Sequence, residues 1–175
     1  MKLKKHILLI LVCLTIISSC KNEEQTKTKP LKKEEKNDYS TEKQAVKQVM
    51  KSYKDAIQNL TTEGTFKLFT QEATVFEQGK VEGTYKEYID SHLGPELDHF
   101  KSFKFSDYKI SIAINLPYAY ATENYLYTIV LKADEVKGEK ERTIKSKGVA
   151  TSILQKIKGN WKIIHTHTSF KKLKQ

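Results

Sequence analysis

A chain of 175 residues leaves room for one core-bearing domain and little more, and its 31 Lys and Arg against 21 Asp and Glu give a formal net charge of +10. That surplus does not point to nucleic acid, because Arg142 is the sole arginine and base readout relies on the forked guanidinium. The two cysteines, Cys13 and Cys20, both lie near the N-terminus, which excludes a disulfide framework, a thiolate nucleophile or a Cys-ligated zinc site from everything downstream.

The chain opens with Lys2, Lys4 and Lys5, followed by an apolar run from Ile7 to Ile17 interrupted only by Thr15. The run falls short of the ~20 residues a spanning helix needs. A basic start, a short apolar stretch and small residues before a cut site predict an export signal over residues 1–19. Ile17-Ser18-Ser19-Cys20 resembles the lipobox of bacterial lipoproteins. That resemblance implies that Cys20 becomes the new N-terminus and carries a diacylglycerol, with palmitate-type chains. Each buried CH₂ adds ~0.8 kcal/mol, so several chains anchor firmly. Loss of three lysines with the signal leaves 10 − 3 = +7. Residues 20–38 predict a lipidated cysteine and a disordered tether: six lysines and five acids crowd a stretch that cannot bury a core. The expected location is the cell envelope, lipid-anchored, on the outer membrane in a Gram-negative cell, facing the periplasm or the surface. The expected partners are the membrane, through the N-terminal lipid, and a small molecule, with no nucleic acid.

Residues 39–175 read as one domain. The spacing of Val46, Val49, Met50, Tyr53, Ile57 and Leu60 predicts a helix over Thr41 to Asn59, with Thr41 and Gln44 as a capping box. A shorter helix is expected over Glu63 to Phe69 with Phe66 and Phe69 inward, then a brief strand over Thr74 to Glu77 and a turn at Gln78-Gly79-Lys80. Thr84 to Leu93 predicts a third helix, capped by Thr84 and Glu87 and stopped by Gly94-Pro95, with Tyr85, Tyr88, Ile89 and His92 on one face. The remainder is strand-rich. Phe103 and Phe105 share one parity and Tyr108, Ile110, Ile112 and Ile114 the other, so a β-bulge is expected at Ser106-Asp107. Long strands follow over Tyr118 to Leu131 and Thr143 to Ile157, and a last one over Trp161 to Phe170 after a tight turn at Lys158-Gly159-Asn160. Helices first and long antiparallel strands afterwards indicate α+β.

The segment Lys147-Gly148-Val149-Ala150-Thr151-Ser152-Ile153-Leu154-Gln155-Lys156, continued by Gly159 to Ser169, is similar to the last two strands of SnoaL-like domains of the nuclear transport factor 2-like superfamily. The resemblance spans about Tyr39 to Phe170. It implies a cone-shaped fold in which three N-terminal helices pack in a strongly curved, antiparallel-rich sheet, and a homodimer joined through that sheet. The superfamily holds isomerases, cyclases, dehydratases, scaffolds and plain binding domains, so fold alone does not give function. Its isomerases and cyclases use a pocket Asp or Glu as base, often beside a Tyr. No base residue of this chain is matched to that role, so the reading favours binding over catalysis.

Alternation places Trp161, Ile163, His165, His167 and Ser169 on one face of the last strand, and the apolar pair at its head turns that face inward. His165 and His167 are then expected at the cavity mouth as ligand contacts, with His92, Tyr53, Tyr85, Tyr125, Tyr127 and Trp161. Hydrogen-bonded lining and packing are the plainer alternatives for each. A metal held by His92, His165 and His167 lacks a further ligand placed by spacing, so no metal and no cofactor are assigned. Glu123 shares the parity of Tyr125 and Tyr127, and an inward position would raise its pKa. The leading expectation is an envelope lipoprotein whose cone binds a small, partly apolar ligand. The alternatives are a small-molecule isomerase, cyclase or dehydratase using a pocket acid or His as general base, and a non-catalytic oligomeric scaffold.

Overall fold

The computed structural model describes residues 38–174. The export signal, Cys20 and the tether therefore lie outside the described residues.

Helix α1, Ser40–Gln58, buries Val46, Met50 and Ile57 on the stripe the spacing marks out. Its N-terminus is not capped by Thr41 and Gln44: Tyr39 holds the cap position, and the Asp38 carboxylate accepts from the Ser40 N–H at 2.9 Å. The second expected helix shrinks to a 3₁₀ turn, Phe66–Leu68, because Phe69 already belongs to a strand. Phe69 is buried as expected, whereas Phe66 is half exposed.

Strand β1, Phe69–Glu77, turns at Gln78 and Gly79, both with positive φ, into β2, Lys80–Thr84. Thr84 and Glu87 form the reciprocal capping box at the head of α2, Tyr85–Tyr88. The helical path then widens into a π-turn, Ile89–Leu93, and continues as α3, Gly94–His99. Gly94-Pro95 thus does not stop the chain. The wider turn absorbs the missing N–H and the ring of Pro95, which sits in the first turn of α3 where no intrahelical donor is needed.

Strands β3 (Phe100–Asn115), β4 (Tyr118–Leu131), β5 (Arg142–Ile157) and β6 (Asn160–Lys172) complete one six-stranded sheet in the order β2-β1-β6-β5-β4-β3. Every pairing is antiparallel except β1 with β6. The expected bulge in β3 is present: Asp107 takes φ 50° and the register shifts between Ser106 and Lys109. On β4 the odd residues from Ala119 to Ile129 face the interior, with Ala119, Ala121, Glu123, Tyr127 and Ile129 buried. The result is an α+β fold with a curved, mixed sheet wrapped around α1 and the α2–α3 segment.

A second bulge has larger consequences. Opposite β5, Ile163 pairs with Leu154 and His165 with Ile153, so Ile164 has no partner. Trp161 and Ile163 point into the core before it; Thr166, Thr168 and Phe170 do so after it. His165 and His167 are thereby turned to the outer face. The inward placement expected from strict alternation fails at this one inserted residue.

Candidate functional site

A cavity of about 580 Å³ opens between α1, the sheet and the α2–α3 segment. One wall is the second half of α1, with Tyr53 and Ile57, and another is formed by Phe100, Phe103 and Phe105 of β3. The floor is the inward row of β4, Tyr125, Tyr127, Ile129 and Leu131. These rings pack on one another: Phe103 stacks on Tyr127 at 5.2 Å, and Phe105 meets Tyr125 edge-on at 4.9 Å. Ser146 of β5 is wholly buried in this lining; its Oγ has no hydrogen-bond partner, with the Tyr127 hydroxyl as its polar neighbour.

The opposite wall is polar and comes from the β1–β2 hairpin and the π-turn. Glu77, at the end of β1, accepts a 2.7 Å hydrogen bond from the Tyr88 hydroxyl. Burial pushes its carboxyl above the ordinary value; the Tyr88 bond and the nearby His92 pull down but do not offset it. Glu82 of β2 is buried and differs in having basic groups beside it: Lys80 Nζ lies 2.8 Å from one oxygen and His92 Nδ1 3.0 Å from the other. Burial raises the Glu82 carboxyl, but those two contacts outweigh it and hold it below its usual range. His92 also reaches Glu96 through Nε2 at 3.4 Å. Burial lowers the His92 pKa, while Glu82, Glu96 and Glu77 together raise it above that of a free imidazole. Tyr88, His92 and Glu96 follow at four-residue intervals, so they share one side of the segment and meet Glu77 and Glu82 of the hairpin.

Of the residues expected at the site, Tyr53, Tyr125, Tyr127 and His92 line this cavity. Tyr85 does not: it is fully buried, stacked on Phe69 with ring centroids 3.5 Å apart. Trp161 is also core, and its Nε1 donates to Glu42 at 2.8 Å near the start of α1, whereas the cavity meets the other end of β6 at Thr168 and Phe170. His165 shares a hydrogen bond with Thr74 Oγ1 at 2.8 Å and meets Phe76 edge-on on the outer face, and His167 is exposed beside it. These two therefore cannot converge with His92 on a metal. Among the described residues, no group of three or more His, Cys, Asp or Glu is placed to hold one. Glu123 is inward and buried, as its parity suggests, but it lies outside the cavity lining, hydrogen-bonded by the Tyr108 hydroxyl. Burial raises its carboxyl, and the Tyr108 bond and the Lys54 charge only partly reverse this. Glu77 and Glu82 were the residues that spacing did not single out, and Tyr88 was placed on a face without being assigned to the site. The one local signal was the Tyr88–His92 helical spacing, which placed both on one face.

Residues 46–171 match the family model described as a SnoaL-like domain. Solved structures similar to the chain include a nuclear transport factor 2-like superfamily protein from Salmonella enterica, 20% identical, covering 78% of this chain and 94% of that one, with a TM-score of 0.62. A protein from Streptomyces avermitilis provisionally assigned as a dehydratase of the same family is 13% identical over 74% and 97% of the two chains, TM-score 0.63. Another, from Novosphingobium aromaticivorans and provisionally assigned as a scytalone dehydratase, is 14% identical over 77% and 86%, TM-score 0.60. At these identities the likeness establishes the fold. Among curated proteins, none matches the chain.

Proposed function

The chain belongs to the SnoaL-like domain family, and on that premise we propose that it is a lipid-anchored envelope protein whose domain holds a small, partly apolar molecule in its cone. The observation that carries this reading is the cavity itself: about 580 Å³, walled by aromatic and aliphatic side chains, with its polar groups gathered on one side. That combination of apolar walls and few directed polar groups suits a small-molecule site. Native mass spectrometry of the full chain, purified from its own envelope and released from detergent micelles, tests it. A retained small-molecule adduct is expected. It should vanish in Ser146→Leu, which fills the lining, and persist in His165→Ala and His167→Ala, which lie on the outer face. A wild-type chain that carries no adduct and takes up no added phenylethanol refutes the reading.

Anchoring at Cys20 and self-association belong to the same proposal. The outer sheet face carries exposed Phe76, Tyr118, Tyr120 and Val149, an apolar surface suited to a second copy of the chain.

A second reading, isomerase or dehydratase chemistry, is favoured by one observation: Glu77 is a desolvated carboxylate at the cavity wall with a tyrosine hydroxyl on it, a composition fit for moving a proton on a bound substrate. It predicts Glu77-dependent hydrogen–deuterium exchange on an enolisable ketone, which a pure binder would not support.

A further inference from the structure

We propose that the cavity is built for an organic amine: a ligand with an apolar body and one ammonium group, the ammonium lying against Glu77 and the surrounding tyrosine rings. The inference rests on the small-molecule reading above and narrows its ligand class.

The charges around the cavity are unevenly matched. Glu82 already has Lys80 on one oxygen and His92 beside the other, and His92 is further engaged by Glu96. Lys80 and Lys172 border the opening, both exposed. Glu77 forms no ion pair among the described residues: its hydrogen bond comes from a neutral hydroxyl, and His92, engaged by Glu82 and Glu96, acts on it only at longer range. A half-buried carboxylate with no counter-ion is an unfavourable arrangement that a bound cation relieves.

The surroundings of Glu77 fit the same ligand. Tyr53, Tyr125 and Tyr127 line the same cavity as Glu77, and Tyr88 touches its carboxylate directly. Ring faces carry negative charge density, so a cavity lined by tyrosines and a carboxylate favours an ammonium over a carboxylate ligand. A ligand carboxylate or phosphate would meet Glu77 and Glu96 instead, and the described residues offer no arginine to the cavity.

Three probes of one shape separate the possibilities: phenethylamine, phenylethanol and phenylacetate, titrated calorimetrically into the full chain in non-ionic detergent. Phenethylamine should bind about tenfold more tightly than phenylethanol, with phenylacetate weakest, since a partly desolvated ion pair with ring contacts is worth about that factor. Glu77→Gln should bring amine affinity down to that of the alcohol. Tyr88→Phe, which keeps the ring and the carboxylate, should retain the amine preference, and a circular-dichroism melt of Glu77→Gln reports whether that variant is folded. Equal binding of amine and alcohol, or tighter binding of phenylacetate, overturns the amine proposal while the small-molecule reading stands. Failure of all three probes to bind overturns both.

Discussion

Replacing Gly94 by alanine sets two effects against each other in a way that geometry decides. Gly94 sits at φ −57° and ψ −57°, an ordinary helical conformation that alanine adopts freely. On propensity alone, Gly94→Ala should stabilise the segment by about 1 kcal/mol. A Cβ at this position, however, stands 2.5 Å from the Ile89 carbonyl oxygen, which is backbone. A comfortable carbon–oxygen contact is ~3.3 Å, so the π-turn must open by ~0.8 Å. Overpacking of that kind costs about 1–3 kcal/mol, which exceeds the propensity gain. The expected net is a loss of about 1 kcal/mol, a fall in Tm of about 3–5 °C for a domain of this size. Thermal and urea melts followed by circular dichroism measure it. A second readout is local: opening the turn separates His92 from Glu82 and Glu96, so the His92 titration followed by NMR should move back toward that of a free imidazole. A variant that melts higher than wild type, with His92 unmoved, would refute the steric argument.

Cys20→Ala should abolish incorporation of labelled palmitate and shift the chain from the membrane pellet to the soluble fraction; unchanged fractionation would sink the anchor. Val149→Lys places a charge on the exposed apolar face of β5 and should convert a dimer to a monomer in sedimentation velocity, without lowering Tm by more than about 2 °C because the site is solvent-facing. Glu123 has a folded pKa above its unfolded one, so the fold favours its protonated form. Its burden on stability is absent below the ordinary carboxyl value of 4.5, grows as pH rises from there to the raised folded value, and is constant above it. Glu123→Gln should therefore gain stability over wild type near neutrality and little on the acid side of 4.5; a pH-independent difference would contradict this.

Local rules carried most of the fold. The boundaries of β4 coincide with the expected Tyr118 to Leu131, the Thr84–Glu87 capping box forms, and the parity switch in β3 marks a real bulge at Asp107. What failed was non-local or degenerate. Ile163 and Ile164 are adjacent and equally apolar, so the sequence does not say which turns inward, and the inserted Ile164 reverses the two histidines after it. Gly94-Pro95 reads as a stop because the accommodating π-turn leaves no compositional mark. The acidic side of the cavity was invisible for a different reason. Glu77 and Glu82 are ordinary strand residues until the β1–β2 hairpin folds against His92 and Tyr88. Carrying the identity of the cavity walls, by contrast, took only the alternation of β4.

The parallel β1–β6 pair sets a rule for assembly. The hydrogen bond between Thr74 and His165 joins residues 91 positions apart, so closing that seam orders most of the domain at once. The β1–β2 hairpin can gain its other neighbour only after the final strand has emerged. A chain halted before Asn160 would therefore present β1 with an open edge, the state most exposed to wrongful pairing, and completion of the last strand is the event that shuts it.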